Sequence, residues 1–500
     1  MIKRASQSRR IIKMLLMRAQ RLNLRLPQGL KSALRSLLES FAKNDGAEIG
    51  LKDWSTPLIS GPSLGSNGWT NTPPQRVPHS STDDAVIDTR PQRHWTKVRS
   101  TGGLRCLLVS PSLDVGGVDE VVVFLARRLR ERGIYVAVLN ASLDGTHDGV
   151  PRGRLGRFLV TEGVETVELS APAGARWLAD WRPDVISAHG VPTWVLEEAC
   201  ALSIPCVDTL HGMHSLFEAD PAAVAERGRY LAGIIAVSDL IRSQYLKLNP
   251  SYPENRIVTI PNGVDDSRRR PMDRERVRTG QGITTEYIFL SLGRHCLQKN
   301  TYGLLGAFQE VANENAEAHL VVAGRPDDNL YLTQVMRLRE SLKCRERIHL
   351  CDHHPNPAEL LALADGFVLD SFFEGWSLAS MEALYAGLPV VLSEVAGAKE
   401  QVGTGEVRGY LVPNPIGDPL QVNWRTIREA RFARQTNRDA LVTAMTSLIK
   451  NRKWWLAEKQ RLINESTERF NPDLCISRHA DVLIAAANAA KLEVQTLAPR

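Results

Sequence analysis

No stretch of this sequence approaches the roughly 18 consecutive apolar residues that a membrane-spanning helix needs. The strongest apolar runs, such as Leu231–Val237 and Phe367–Leu369, are strand-sized, so no helical span is expected. Cysteine is scarce and unpatterned. The seven (Cys106, Cys200, Cys206, Cys296, Cys344, Cys351 and Cys475) are odd in number, mostly embedded in apolar runs, and offer no C-x-x-C pair for zinc or redox work. They read as reduced core thiols, which favours a reducing, cytoplasmic compartment. No tandem repeat recurs, which argues against a solenoid. The body of the chain also lacks a positive surplus. Residues 1–44 carry eleven Lys and Arg against the single acid Glu39, so the overall +6 leaves −4 on the remaining 456 residues. A nucleic-acid binder would spread its charge across the folded domain, and that class is set aside.

What is present is an ordinary globular composition, 43% apolar and 24% charged over 500 residues. At roughly 100–200 residues per domain, two or three domains are expected. Residues 1–44 form a basic amphipathic leader. Ile11, Ile12, Leu15, Leu16, Ala19, Leu22 and Leu26 share one arc at 100° per residue, with arginines opposite; Pro27 interrupts, and an apolar stripe resumes from Leu30 to Phe41. Two short helices follow from this, with three readings open: peripheral contact with the inner face of a membrane, a helix pair packed on the body or a partner, or a targeting peptide. Residues 45–103 turn to Pro, Gly, Ser and Thr and read as a flexible linker.

From Leu104 onward the pattern becomes strand, glycine turn, helix, strand. Strands are expected at Leu104–Ser110, Ile134–Asn140, Asp184–Ala188, Pro205–Leu210, Gly233–Val237 and Arg256–Ile260. A second series follows at Tyr287–Leu292, His319–Ala323, Arg347–Cys351, Gly366–Asp370, Pro389–Ser393 and Gly409–Val412. These short apolar runs suit parallel strands buried on both faces. The α/β fold expected is two doubly wound, Rossmann-like domains, 104–265 and 266–422, with helices over 423–500. The arginine-rich stretch 266–286 shows no sustained apolar period and reads as a connection. Ligands of such sheets sit beyond the carboxyl ends of the strands, so chemistry is sought there.

After the strand Tyr287–Leu292 come Gly293-Arg294 and, five residues past the arginine, Lys299-Asn300. A guanidinium can grip phosphate oxygens bidentately while an ammonium acts as a point charge, a combination suited to a diphosphate. After Gly366–Asp370 comes Ser371-Phe372-Phe373-Glu374-Gly375-Trp376-Ser377-Leu378, with Glu382 eight residues beyond Glu374. Gly375 permits a tight turn, and the peptide N–H groups at Trp376, Ser377 and Leu378 open a helix, a natural anion site. About 12 Å of helix rise separates the two glutamates, too far for joint action on one bond but suited to opposite ends of an extended ligand.

The ordered set, continued by Ala386-Gly387-Leu388-Pro389-Val390-Val391, resembles the GT-B glycosyltransferases of glycosyltransferase family 4 over about residues 103–415. That resemblance implies two Rossmann-like domains facing across a cleft and retaining transfer of a sugar from a UDP- or GDP-linked donor to a glycan or lipid-linked acceptor. Polysaccharide or glycoconjugate biosynthesis is the implied setting. By the same resemblance Arg294 and Lys299 neutralise the diphosphate, Glu374 and the backbone from Gly375 to Leu378 hold sugar and phosphate, and Glu382 holds the ribose. Gly116 and Gly117 match the first domain's glycine loop, and His211 matches the histidine beside the sugar; His189 is a weaker candidate and His214 is set aside. Asn262 and Asp265 match a structural turn. Trp376 and Ser377 depart from the usual Phe and Gly, and Gly324-Arg325-Pro326 replaces a more glycine-rich loop. No D-x-D, the carboxylate pair that holds Mn²⁺ or Mg²⁺ in another transferase architecture, occurs. A metal-independent enzyme without a cofactor is therefore expected. A GT-B phosphorylase, a nucleotide-sugar epimerase and a non-catalytic glycan- or membrane-complex-binding relative remain as alternatives.

Overall fold

The computed structural model describes residues 103–497, apart from 115, 142–148, 264–271, 355 and 406, with side chains to residue 489. The basic leader, the linker and Asp265 lie outside the described residues.

Two all-parallel sheets carry the structure. The first holds β1 (Arg105–Ser110), β2 (Tyr135–Ala141), β3 (Glu165–Leu169), β4 (Val185–Ala188), β5 (Cys206–Leu210), β6 (Gly233–Ala236) and β7 (Ile257–Thr259). Its strand order is β3-β2-β1-β4-β5-β6-β7. The second holds β8 (Tyr287–Leu292), β9 (Ala318–Ala323), β10 (Ile348–Cys351), β11 (Gly366–Leu369), β12 (Val390–Ser393) and β13 (Gly409–Val412), ordered β10-β9-β8-β11-β12-β13. Strand order reverses between β1 and β4 in one sheet and between β8 and β11 in the other. Such a switch point leaves a crevice at the carboxyl ends where ligands bind.

The strands expected from apolar runs are present, and one was not foreseen. Glu165-Thr166-Val167-Glu168-Leu169 mixes polar with apolar residues and forms no apolar run; β3 lies at the sheet edge, paired with β2 and bridged on its other side to Gly149. The stretch read as a bare connection also contains a helix, Arg274–Gly280, capped by Asp273. No apolar period announces it because arginines hold it. Arg274 and Arg278 reach the buried Asp365 at 2.7 and 3.0 Å, joined by Arg452 at 3.1 Å. A carboxylate this deeply buried needs such partners.

Of the helices expected over 423–500, the last, Pro472–Leu497, returns to the first sheet. Cys475, Ile476, Ala480, Leu483 and Ala487 enter the same apolar cluster as Val122, Leu125 and Leu129. Arg128 reinforces the join by pairing with Asp473. All seven cysteines are free thiols, six of them buried and Cys200 exposed. Among the described residues no helix is long and apolar enough to cross a membrane.

Candidate active site

The two switch points face one cleft of about 420 Å³, lined from both sheets. From the first sheet come Gly116 and Gly117 after β1, His211 and His214 after β5, and Asn262 after β7. From the second come Arg294, Gln298 and Lys299 after β8, Arg325 after β9, and the run from Glu374 to Leu378 with Glu382 after β11. The main site residues inferred from the sequence therefore line a single cavity, while the weaker candidate His189 lies outside its lining.

The glycine loop works by lacking side chains. Gly116, which lines the cleft, caps the helix Gly117–Glu131 with no side-chain bond to its first turn. Opposite, Ser377 caps the helix Leu378–Tyr385, its Oγ accepting from Ser380 N at 3.3 Å. Trp376, also in the lining, packs its indole T-shaped against Phe470 at 5.8 Å. The halves touch at the cleft floor. Met213 N donates to Glu374 O at 3.1 Å, and a Cβ on Gly375 would collide with the His211 carbonyl oxygen.

The charged wall is organised around Glu374, which is nearly buried. Its Oε1 takes the Lys299 ammonium at 2.7 Å and the Ser371 hydroxyl at 2.6 Å, while Oε2 accepts from Gln298 at 3.1 Å. Arg294 pairs outward with Asp327 at 2.6 Å, and both side chains are more than a third exposed. An exposed pair of this kind is worth about 0–1 kcal/mol, so an incoming anion can take the guanidinium at small cost.

The histidine wall is neutral. His211 Nε2 lies 2.7 Å from His189 Nδ1, and His189 Nε2 lies 3.1 Å from the Ser187 hydroxyl. Burial, helped by His479 and His214, pulls His211 down to about 3; burial and the neighbouring His211 and His479 hold His189 well below its ordinary value. Neither ring carries charge near neutral pH. His479 enters from the terminal helix, fully buried, with both ring nitrogens unpartnered among the described residues.

Sequence reasoning passed over several lining groups. His214, set aside there, lines the cleft near Glu374 and packs on Phe373 at 5.7 Å. His353, His354 and Arg154 line it as well. No spacing signals them, although His353 and His354 follow β10 as the other site residues follow their strands. Among the described residues no group of three or more His, Cys, Asp or Glu could hold a metal ion.

Residues 115–268 match the family model described as Glycosyltransferase Family 4, and residues 273–425 that described as Glycosyl transferases group 1. Glycogen synthase of Mycobacterium tuberculosis is 28% identical over 390 residues, covering 66% of this chain and 90% of that protein. Phosphatidyl-myo-inositol mannosyltransferase of Mycobacterium leprae is 29% identical over 333 residues, covering 62% and 83%. A glycosyltransferase structure from Rickettsia africae aligns with TM-score 0.62 at 16% identity, covering 77% of this chain and all but 1% of its own, that is 99%. Anabaena Alr3699/HepE in complex with UDP aligns with TM-score 0.62 at 16% identity, over 76% and 100%. With two facing parallel sheets and both halves of the family signature, the chain belongs to the family 4-like GT-B glycosyltransferases.

Proposed function

We propose that this enzyme moves a sugar from a nucleoside-diphosphate donor to a glycan or lipid-linked acceptor, with retention of anomeric configuration and with side chains rather than a metal ion as counter-charge. The observation that carries the reading is convergence: Arg294 and Lys299, a helix N-terminus at Ser377-Leu378 and the neutral His211 line one cleft from three separate loops. The relatives support it by name, being a glycogen synthase and a mannosyltransferase, and Anabaena HepE was solved with UDP and with UDP-glucose. Polysaccharide or glycoconjugate biosynthesis is the setting these names suggest.

In this reading the diphosphate displaces Asp327 from Arg294 and settles between that guanidinium, Lys299 and the open helix end. Negative charge grows on the leaving diphosphate as the glycosidic bond breaks, and fixed cations stabilise that growth most. Glu374, oriented by Ser371, Gln298 and Lys299, holds the donor sugar, and Glu382 the ribose hydroxyls. His211, uncharged, serves a sugar hydroxyl as a hydrogen-bonding ring, and Gly116 and Gly117 let donor or acceptor approach the backbone. A panel of UDP- and GDP-sugars tests this. One donor should protect the protein thermally and be turned over, with the product anomer matching the donor by NMR and EDTA leaving the rate unchanged. Absence of binding by every donor contradicts the reading.

A further inference from the structure

Behind the charged wall lies a buried polar cluster that the proposed chemistry leaves unused. Asp370, just past β11, is almost fully enclosed, as are Asn300, Gln435 and Asn437. The Asp370 Oδ2 accepts from Asn300 Nδ2 at 2.8 Å and its Oδ1 from Asn437 Nδ2 at 2.7 Å. Gln435 clasps Asn300 from both sides: its Oε1 accepts from Asn300 Nδ2 at 2.9 Å, and its Nε2 donates to Asn300 Oδ1 at 2.7 Å. Asn437 Nδ2 also donates to Pro413 O at 3.0 Å.

A carboxyl buried against neutral amides is expensive, and apolar packing would fill the space at lower cost. Burial pushes Asp370 up to about 7, opposed by the amides of Asn437 and Asn300 and by the charge of Arg438. What the cluster does is join three chain segments at the cleft. Asn300 directly follows Lys299 and holds a left-handed backbone, φ 51°, a conformation that Asn adopts more readily than other non-glycine residues. It also caps the helix Thr301–Glu314. Asp370 precedes Ser371, whose hydroxyl binds the Glu374 oxygen that Lys299 holds. Gln435 and Asn437 bring in the start of the helix Arg438–Lys450.

We propose that Asp370, with Asn300, Gln435 and Asn437, is a positioning device that fixes where the Lys299 ammonium meets the donor diphosphate. This rests on the function proposed above, so its test carries a control for that reading. On the full chain, turnover is measured with the UDP- or GDP-sugar selected by the panel, together with thermal melting. Asp370→Asn is expected to lower kcat about 10- to 100-fold with a smaller change in donor KM, because displacing a catalytic group by about 1 Å costs that much. A merely structural role would instead lower the melting midpoint and leave kcat of the folded protein unchanged; that result overturns the proposal. If Asp370→Asn does not fold, Gln435→Ala, which buries no charge, should reduce kcat by a smaller factor, and an unchanged kcat overturns the proposal. Lys299→Ala is assayed alongside. Its loss of turnover with none in Asp370→Asn or Gln435→Ala rejects the positioning device alone, whereas near-normal turnover of Lys299→Ala rejects the diphosphate reading and this inference with it.

Discussion

The loops after β5 and β8 face the same cleft from opposite sheets, and they solve the problem of a polar group at a strand end in opposite ways. Around His211 the groups are neutral and pass one hydrogen bond along a chain, Ser187 to His189 to His211. Around Lys299 the groups are ions, balanced against Glu374 and, further out, Arg294 against Asp327. The same doubly wound scaffold thus supplies a wall fit for hydroxyls and a wall fit for a pyrophosphate. A neutral hydrogen bond contributes about 0.5–1.5 kcal/mol, whereas a charge aimed at a developing anion in a dry cleft contributes several. The two walls should therefore fail by different amounts.

Lys299→Ala should give the largest effect, about 10²- to 10³-fold in kcat, the loss typical of one transition-state donor. Steady-state kinetics checks it, and a loss of only a few-fold would erase the contrast between the walls. Gly375→Ala attacks the join between them. Its methyl would meet the His211 carbonyl, a backbone atom that cannot step aside, so the floor must open. About 1–3 kcal/mol of stability and about 10-fold or more in turnover should be lost, read by melting and by rate. His211→Ala, on the neutral wall, should cost about 10-fold in kcat/KM, the value of one neutral hydrogen bond. A loss as large as that of Lys299→Ala would show that the histidine does more than hold a hydroxyl.

The smallest effect concerns acid. His211 at about 3 and His479 at about 4 lie below the unfolded value near 6.5, as does His189, and His349 in the second sheet joins them at about 3. Between those limits the unfolded chain binds more protons than the folded one. The stability contributed is complete above about pH 6.5 and is lost as pH falls toward the folded values. The histidine contribution to the melting midpoint should therefore drop from pH 7.5 to pH 5, against the opposite contribution of Asp370, which is held up at about 7 and favours the fold as pH falls. His479→Leu should raise the midpoint slightly and flatten that drop, since it removes a buried ring with no partner. An unchanged pH dependence would mean that His479 is not held neutral by the fold.

The charged wall was legible in the sequence because each of its members sits in one linear loop directly after an apolar run. β8 and β13 carry the bounds expected of them, and Arg294, Lys299, Glu374 and Glu382 line the cleft together. The neutral wall was legible only in part. Both of its histidines sit one residue past a strand, in Ala188-His189-Gly190 and Leu210-His211-Gly212, yet their contact depends on β4 pairing with β5, which neither segment records alone. His479 carries no signal at all, because it reaches the pair through a helix that crosses back from the end of the chain. The helix Arg274–Gly280 and the Asp370 cluster stayed hidden for a related reason: the first was read as a bare connection and Asp370 as a strand end, and neither segment records the distant partners that satisfy its buried polar side chains.

Calorimetric titration of a nucleoside monophosphate and the matching diphosphate, UMP against UDP and GMP against GDP, addresses the convergence on a pyrophosphate most directly. The diphosphate of one base should bind at least about 10-fold more tightly than its monophosphate, a gap of about 1.4 kcal/mol, and Lys299→Ala with Arg294→Ala should abolish the difference. Equal affinity for mono- and diphosphate in the unaltered protein, or a preference that survives loss of both cations, would contradict it.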